Sequence, residues 1–386
     1  MKPVHSHALN PCEKTHEQFE NCHKEDFVVA AALMPDAHAG YVAPIGSVLV
    51  TKDYIVPSWV GFDIGCGMTA TQITTLTATQ IRENKEKIFA ALKEFVPHGM
   101  GVLNKTPHVS EESKAELKEL ITTFKSKPHQ KQVLNLLQSG AINHLGSLGD
   151  GNHFLEICES TEDTNAWIVV HSGSRGIGYK LAKKYMLLAA KDADEFEQTF
   201  PLHKDSIEGQ EYLNVLEFGL AFALLNRTEM IRQTIKAIES VFNQDVEWNI
   251  WTNKNHNHAL QENDLFIHRK GATPAKLGER GVIPGNMRDG SFLVEGLGNA
   301  DFLNSSSHGA GRVMGRVVAK NTLNYEEYVE QMKDVLGTVN ENTLDEAPNA
   351  YKNIFDVMEK QKTSVKKIAQ LKPIICLKGE RIRRHK

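Results

Sequence analysis

The chain has 386 residues, of which 41% are hydrophobic and 24% charged, and these fractions exclude disordered, collagen-like and membrane-embedded proteins. Its formal net charge is −4, so any contact with nucleic acid must come from a local basic patch. The five cysteines are scattered and the N-terminus is polar, which argues against a disulfide framework and a secretory signal and predicts a cytoplasmic protein without membrane segments.

Helices and strands are predicted in a mixed order, without a regular βαβ alternation. A strand at residues 45–51 precedes a helix that begins with the capping box of Thr77 and Gln80 and ends at Phe95, and Ser110 caps a second helix through Phe124. The remaining predicted strands are 166–171, 265–268, 292–295 and 374–377, and the remaining helices are 179–191, 210–242, 325–336 and 351–370. This order predicts an α+β fold in one large domain, with mixed sheets flanked by helices around a site built from loops.

Metal-binding chemistry is indicated by polar side chains in four glycine-rich or asparagine-rich segments. In GFDIGCGM the glycines let the backbone turn sharply, so Asp63 and Cys66 can converge, and a thiolate can bridge two metal ions. GDGNHFLEI, HSGSRG and NKNHNH add His153, His171 and His256, which completes a set of oxygen, nitrogen and sulfur donors for one or two divalent metals. The donor types do not select the metal, although softness alone favours zinc. The alternative is a buried cysteine with hydrogen-bonded structural histidines.

A second chemical segment is SSSHGAGR, in which small residues leave His308 unobstructed. Gly-Ala-Gly exposes backbone N–H groups that can bind phosphate, and the guanidinium of Arg312 can bind phosphate oxygens in a bidentate manner. Imidazole can also act as a covalent nucleophile. The alternative reading is an ordinary Ser/Gly turn before the next element.

Nine segments occur in the order typical of one family. They are MPDAHAG, GFDIGCGM, GDGNHFLEI, HSGSRGIG, HRKGA, GVIPGNM, SSSHGAGRVM, DEAPNAYKNI and LKG. On these segments the chain resembles the RtcB family of GTP-dependent RNA-splicing ligases, from about residue 32 to residue 379.

The resemblance implies an enzyme that joins an RNA 3′-phosphate or 2′,3′-cyclic phosphate end to a 5′-hydroxyl end, in tRNA splicing or RNA repair. It implies GTP and two Mn²⁺ ions per active site as cofactors. Cys66 would bridge the two ions. Asp63 and His153 would complete one ion, and His171 and His256 would complete the other. This is the dinuclear centre around which the predicted domain would be built.

For the nucleotide, the resemblance implies that His308 attacks the α-phosphorus of GTP and holds GMP covalently. Glu156, Ser291 and Lys378 would read guanine, and Tyr351 would stack on it. Arg175 and Arg312 would contact phosphate or RNA. The full nucleotide-binding set would be Asn152, His153, Phe154, Leu155, Glu156, His256, Asn257, Pro284, Gly285, Asn286, Met287, Ser291, His308, Gly309, Ala310, Gly311, Tyr351 and Lys378.

The chain departs from the family pattern near both ends of the matching region. Tyr41 follows Gly40 where the family usually continues with Lys-Gly, and ERIRRHK follows Gly379, where family chains commonly end. We therefore divide the chain into an N-terminal segment without a recognised motif (1–31), a ligase domain (32–379) and a basic tail (380–386).

Three other functions are compatible with parts of this pattern. A two-metal phosphoesterase that hydrolyses cyclic phosphates would use the same metal ligands, but it needs no covalent nucleotide and therefore does not explain His308. An enzyme that guanylylates nucleic-acid 3′ ends would stop before ligation. An RNA-binding protein with a vestigial site would have no reason to keep all five metal ligands.

The basic tail predicts an RNA contact. Five of residues 378–386 are Lys or Arg and one is Glu. If the tail binds the RNA backbone, deletion of residues 380–386 weakens RNA binding and lowers the log–log salt slope by up to about two to three units, while guanylylation of His308 persists. Salt titrations that superimpose for the full-length and truncated proteins would instead indicate a solvated tail without a role.

Overall fold

The computed structural model describes residues 2–104, 108–191 and 195–380. The basic tail beyond Glu380, to which the sequence analysis assigned an RNA contact, lies outside the described residues. Within the described ranges, no helix combines the length and the apolar character needed to cross a bilayer.

Two large mixed sheets form the frame of the molecule. Their strands, in chain order, are β1 (Val4–Ser6), β2 (Val28–His38), β3 (Ile45–Lys52), β4 (Tyr54–Ile55), β5 (Gly67–Thr77), β6 (Phe154–Ser160), β7 (Asn165–Ser172), β8 (Leu202–His203), β9 (Trp248–Asn255), β10 (Asn257–Glu262), β11 (Leu265–Lys270), β12 (Ala272–Pro274), β13 (Arg280–Pro284), β14 (Ser291–Gly296), β15 (Ser305–Ser307), β16 (Leu336–Gly337) and β17 (Val365–Lys378). The eight-stranded sheet has the order β13-β14-β17-β6-β7-β5-β9, and β16 also pairs with β17. The five-stranded sheet has the order β1-β2-β3-β11-β10, and two short pairs, β12 with β15 and β4 with β8, lie apart from both.

The helices flank these sheets. They are α1 (Glu13–His23), α2 (Pro57–Val60), α3 (Ala78–Glu83), α4 (Lys85–Phe95), α5 (Glu111–Lys125), α6 (Lys131–His144), α7 (Arg175–Ala189), α8 (Ile207–Phe242), α9 (Arg316–Thr322), α10 (Tyr325–Gln331) and α11 (Ile354–Lys360). Short 3₁₀ turns lie at Ala300–Phe302, Glu341–Glu346 and Pro348–Ala350.

Helix α8 has 36 residues and packs on strands β5, β7 and β9 and on helices α4, α5 and α7. It begins where the Ser206 side chain accepts a hydrogen bond from the Gly209 amide, and it ends at Asn243 in the left-handed conformation. Apolar side chains at helical spacing, including Phe218 and Phe222, are buried in the core, and each such side chain contributes about 1.5–3 kcal/mol of burial free energy. The helix therefore supports the β7-β5-β9 side of the eight-stranded sheet.

The predicted α+β fold in a single domain is confirmed, and most predicted elements are present. The Thr77 capping box forms as predicted, although the following helix breaks at Asn84 into α3 and α4. Ser110 caps α5, and the helix predicted over 210–242 is α8. All five predicted strands lie within β3, β7, β11, β14 and β17.

The helix predicted over 351–370 is wrong for most of its length. Only Ile354–Lys360 is helical, and β17 begins at Val365. The reason is long-range pairing, because residues 365–370 of β17 pair with β14, and the strand then continues from Leu371 beside β6. Two other predicted helices have wrong bounds. Helix α7 begins at Arg175, four residues before the predicted start at Tyr179. Helix α10 ends at Gln331 rather than at Leu336, which is already part of β16.

The N-terminal segment, in which the sequence shows no motif, is part of the folded structure. Strand β1 pairs in parallel with β2, so that Val4 lies opposite Ala31. Helix α1 packs on β2 and β3 and buries Phe19 and Cys22 in a hydrophobic cluster with Trp59. The segment thus covers the five-stranded sheet beside the loop that follows β2.

Candidate metal and nucleotide site

The candidate site forms where four strands meet at one edge of the eight-stranded sheet. Strand β5 begins beside the ends of β7 and β9, and β6 begins beside the end of β7. Because these neighbours are antiparallel, residues just before β5 and β6 lie next to residues at the ends of β7 and β9. The register therefore brings together Cys66, His153, His171 and His256.

Two glycines leave the room that this convergence needs. A Cβ atom on Gly67 would lie 2.0 Å from the Lys254 carbonyl oxygen, so any other residue would separate β5 from β9. A Cβ atom on Gly173 would lie 2.3 Å from Asp63 Oδ1, in the space that the carboxylate occupies. Gly67 is therefore required by close backbone approach, and Gly173 leaves the space that the Asp63 carboxylate occupies.

The donor atoms form two triads that share one sulfur. The first triad is Cys66, His171 and His256, the second is Asp63, Cys66 and His153, and within each triad the donor atoms lie within 4.8 Å of one another. Cys66 Sγ lies 3.2 Å from His171 Nε2 and 3.4 Å from His153 Nε2. His153 Nε2 lies 3.0 Å from Asp63 Oδ2, and the Nε2 atoms of His171 and His256 are 3.2 Å apart. This arrangement fits two divalent cations that share a thiolate.

The protonation states suit metal ligands. The ring nitrogen Nδ1 of His171 lies 3.1 Å from the Asn152 carbonyl oxygen and donates to it, so Nε2 presents its lone pair to the first triad. Burial lowers the pKa of His171 and His256 well below the ordinary value, so both rings are neutral. The Nε2 atoms of both rings, 3.2 Å apart, lie at the first triad, where a cation would bind. Burial raises the pKa of the Cys66 thiol, so metal binding there must release a proton.

A buried arginine that the sequence analysis did not single out fixes the strand ends. Arg227 of α8 is fully buried and donates to the Gly65 carbonyl at 3.0 Å and to the Ser172 carbonyl at 2.8 Å. It also donates to the side chains of Asn253 and Asn255, each at 2.7 Å. Burial lowers its pKa to about 10, which leaves the guanidinium charged at neutral pH. This positive charge favours the thiolate of Cys66. The signal in the sequence was a polar Asn-Arg pair directly after the apolar run 218–225.

His308 lies beside the first triad and has a carboxylate partner. Its ring centroid is 4.9 Å from that of His256, and its Nδ1 lies 2.6 Å from Asp36 Oδ2 in an ion-pair contact. Asp36 lies in β2 and is completely buried. Burial opposes ionisation of Asp36, but the neighbouring imidazole of His308 outweighs it and lowers the pKa of the carboxyl. With Nδ1 engaged, Nε2 is the nitrogen of His308 left to react. The MPDAHAG motif contained Asp36, but the sequence analysis gave it no role.

A cavity of about 550 Å³ connects these groups, a volume in the range of small-molecule sites. It is lined by Asp63, Cys66, His171 and His256 and by most of the predicted nucleotide-binding residues: Asn152, Phe154, Glu156, Asn257, Pro284, Gly285, Asn286, Met287, Ser291, His308, Gly309, Ala310, Gly311, Tyr351 and Lys378. Arg312 also lines it. Three of the predicted site residues do not line this cavity. His153 belongs to the second triad, Leu155 points into the core cluster behind the sheet, and Arg175 packs its guanidinium over Gly149.

Glu346 binds several side chains at one end of the cavity, and it is another residue to which no role was assigned from the sequence. This buried carboxylate accepts a hydrogen bond from Lys378 Nζ at 2.8 Å and from the Tyr351 hydroxyl at 2.7 Å. It also pairs with Arg312, at 3.2 Å, and with Arg316. Burial disfavours its charge, but Lys378 and the two guanidinium groups lower the pKa of Glu346 well below its ordinary value. Glu346 thus holds two of the predicted guanine-binding side chains in fixed positions.

Comparison with known proteins agrees with this geometry. The family model described as tRNA-splicing ligase RtcB matches residues 18–379. RNA-splicing ligase RtcB1 and RNA-splicing ligase RtcB, from two Escherichia coli strains, are 37% and 36% identical over 388 residues, which cover 94% of this chain and 93% of each relative. The tRNA-splicing ligase RtcB of Nanoarchaeum equitans is 28% identical over 419 residues, covering 90% of this chain and 87% of the relative. The chain therefore belongs to the RtcB family of RNA-splicing ligases.

Proposed function

We propose that this RtcB-family ligase joins RNA 3′-phosphate or 2′,3′-cyclic phosphate ends to RNA 5′-hydroxyl ends, with GTP and two Mn²⁺ ions, through GMP bound covalently to His308. We place this activity in tRNA splicing or RNA repair in the cytoplasm. The observation that carries the proposal is one cavity lined both by His308, which has a carboxylate partner, and by Cys66, the sulfur that the two candidate metal triads share. The names of the relatives, RNA-splicing ligase and tRNA-splicing ligase, support the same reaction.

The first step loads GMP onto the protein. His308 Nε2 attacks the α-phosphorus of GTP, so that an N–P bond forms while the bond to pyrophosphate breaks. Asp36, 2.6 Å from Nδ1, holds the ring in one orientation and stabilises the positive charge that develops on the imidazole. Ala310 and Gly311 line the same cavity as His308, and their backbone amides would bind oxygens of the reacting phosphate.

The next steps pass the GMP to RNA and release it. An oxygen of the RNA 3′-phosphate attacks the phosphorus of the adduct, the N–P bond breaks, and the RNA end carries GMP through a new phosphoanhydride. The 5′-hydroxyl then attacks the 3′-phosphorus, loses its proton, and displaces GMP as the phosphodiester forms. A cyclic phosphate must first be hydrolysed to the 3′-phosphate. Each displacement needs in-line positioning and charge neutralisation.

The donor set fits the two metal ions that this chemistry uses. Cys66 would bridge them, with His171 and His256 on one side and Asp63 and His153 on the other. Such ions neutralise phosphate charge and lower the pKa of a bound hydroxyl. The assignment of manganese rests on the family, because thiolate softness alone favours zinc.

The guanine base would lie at the Glu346 end of the cavity. Glu156 and Lys378 lie on neighbouring strands there, and Ser291 and Tyr351 line the same cavity. Guanine offers an N1–H and an amino group as donors and O6 as an acceptor. A carboxylate at Glu156 accepts from the donors, and the ammonium of Lys378 donates to O6.

The ionisation of Glu156 predicts a pH dependence of GTP binding. Burial raises the pKa of this carboxyl to about 8, so it is largely protonated at neutral pH. Because guanine needs the carboxylate, GTP binding must remove that proton below pH 8. We therefore expect the Kd for GTP to fall by up to roughly tenfold per pH unit as the pH rises towards 8. Calorimetric titration at several pH values measures this.

Glu156→Gln is the matched variant, because it keeps the shape of the side chain and removes its titration. We expect weaker GTP binding that no longer strengthens towards pH 8. An unchanged pH profile in this variant would assign the dependence to another group.

The proposal is tested by the products of a ligation assay. Protein, GTP and Mn²⁺ are mixed with one RNA ending in a 3′-phosphate and a second RNA with a 5′-hydroxyl. We expect a joined product that depends on GTP and a guanylylated 3′ end when the 5′-hydroxyl RNA is left out. Hydrolysis of a 2′,3′-cyclic phosphate without GTP, and without joining, would support the phosphoesterase alternative. Guanylylated ends that never join would support the alternative of a 3′-end guanylylating enzyme.

A further inference from the structure

A row of three aromatic rings lies at the rim of the catalytic cavity. Phe62 stacks on Tyr179, with ring centroids 5.1 Å apart, and meets Tyr41 edge-on, with centroids 5.8 Å apart. Tyr41 is 72% exposed and Tyr179 is 49% exposed. We name Tyr41, Phe62 and Tyr179 the aromatic row.

This exposure is unusual for the molecule. Among the Phe, Tyr and Trp rings of the described residues, Phe355 is the one other ring exposed to a similar degree, at 50%. Exposed aromatic rings that adjoin a reactive cavity are typical of binding surfaces, because a flat ring gains contact area at a small cost in conformational entropy.

The aromatic row lies beside the second triad. Phe62 directly precedes Asp63, and Tyr179 is one helical turn after Arg175 in α7. Tyr41 lines the catalytic cavity and also a small adjoining cavity, which Phe62 lines as well. His308, in contrast, lies next to His256 of the first triad. Phe62 and Tyr179 are therefore associated with the second triad and the proposed GMP carrier with the first, whereas Tyr41 follows His38, whose ring centroid is 6.4 Å from that of His308.

The loop that carries Tyr41 is fixed by the N-terminal segment. Gln18 of α1 donates to the carbonyl oxygens of Gly40 and Tyr41, each at 2.9 Å, and accepts from the Gly40 amide at 3.0 Å. Phe62 packs against the core cluster under α7 and α8. The rings are thus held in place before any ligand binds, which lowers the entropy cost of binding.

Lysine side chains lie near the aromatic row although the chain is acidic overall. Lys180 and Lys183 are exposed on α7 next to Tyr179. Lys270 lines both cavities and donates to the Val60 carbonyl at 2.8 Å. Flat rings flanked by cations are the features with which proteins bind single-stranded nucleic acid irrespective of sequence.

The geometry of an in-line displacement indicates which RNA strand would bind to the aromatic row. In the last step of the proposed reaction, the 5′-hydroxyl attacks the 3′-phosphorus opposite the departing GMP. The GMP comes from His308 on the side of the first triad. The attacking strand must then approach from the side of the second triad, where the aromatic row lies.

We propose that the aromatic row is a stacking platform for the unpaired bases at the 5′-hydroxyl end of the RNA. This inference rests on the proposed function, because the strand assignment assumes that the 5′-hydroxyl displaces GMP. The platform binds any base, since every base has a face that stacks. It therefore makes the ligase select single-stranded 5′ ends rather than a sequence.

The test measures the Kd of an RNA with a 5′-hydroxyl end by fluorescence anisotropy. The same RNA with abasic sugars at its first three positions removes the bases and keeps the phosphates. In the wild-type protein we expect abasic substitution to weaken binding about tenfold or more. Tyr179→Ala and Tyr41→Ala should each weaken binding of the intact RNA, by roughly five- to tenfold, and should weaken binding of the abasic RNA much less.

Two controls separate stacking from damage to the fold. Tyr179→Phe keeps a ring and should bind the intact RNA as the wild type does. Phe355→Ala removes an equally exposed ring that lines neither cavity, and it should leave RNA binding unchanged. Thermal unfolding of each variant shows whether it is folded.

The outcomes distinguish this inference from the proposed function. Equal binding of intact and abasic RNA by the wild type, or equal weakening of both RNAs by Tyr179→Ala, overturns the platform. An effect of abasic sugars confined to an RNA with a 3′-phosphate end overturns the strand assignment. Failure of the wild-type protein to form a GMP adduct overturns the proposed function instead, whatever the RNA titrations show.

Discussion

In His308→Ala we expect the GMP adduct to disappear while both metal ions stay bound. The substitution removes the imidazole that would form the N–P bond, and no other described histidine near the cavity has a comparable carboxylate partner and a free Nε2. His308 belongs to neither triad, so the metal content should not change. Intact-mass spectra after incubation with GTP and metal measure the adduct, which should be labile in acid and stable in base. An adduct of the same mass in His308→Ala would refute the assignment.

Asp36→Asn provides a graded comparison for the same nucleophile. It keeps the size of the side chain but removes the negative charge 2.6 Å from His308 Nδ1. By analogy with other histidines oriented by a carboxylate, we expect guanylylation to slow by a factor on the order of 10²–10⁴. A rate equal to that of the wild type would mean that the carboxylate serves the fold and not the reaction. Slowing without loss would establish that Asp36 acts through His308.

The fold could be predicted where local sequence and tertiary environment agree. The Thr77 capping box and the Ser110 cap form because their hydrogen bonds are made within three residues of chain. Strand β17 could not be predicted in full, because its extended conformation at residues 365–370 depends on β14, which lies more than 70 residues earlier in the chain. Local periodicity indicated a helix there, and pairing with β14 overrode it.

The candidate site, like the fold, could be predicted only in part from the sequence. The five predicted metal ligands converge because each lies at or near the end of a strand, and short polar segments marked those strand ends in the sequence. The charged residues that contact the site residues were marked less clearly in the sequence. Asp36 and Glu346 contact His308 and Lys378, from which they are distant in the chain, and Arg227 is buried within α8. Such pairs are set by tertiary packing between distant segments, which spacing within the sequence cannot reveal.

Cys66→Ser should lose the metal ions and, with them, guanylylation. The sulfur is the one donor common to both triads, so its loss removes a ligand from each metal position at once. A serine hydroxyl is a poor substitute, because it stays protonated at neutral pH and cannot supply the negative charge that a bridging thiolate provides. The charged guanidinium of Arg227 would then face a site with less negative charge, which further disfavours the binding of divalent cations. Elemental analysis of the purified protein, for manganese and zinc, measures the loss directly.

Cys158→Ser is the matched control for this loss. Cys158 is buried like Cys66 and lies on β6 of the same sheet, but its sulfur packs in a cluster with Trp167, donates to Glu156 Oε2 at 4.0 Å and belongs to neither triad. Both variants therefore place a hydroxyl in a buried position. If that hydroxyl is left without a hydrogen-bond partner, each variant should lose a similar free energy of unfolding, about 1–3 kcal/mol. If they lose stability alike but only Cys66→Ser loses metal, the loss comes from coordination rather than from general damage to the sheet. Full metal content in Cys66→Ser would show that the thiolate does not bridge, and the two triads would then have to bind their ions independently through oxygen and nitrogen alone.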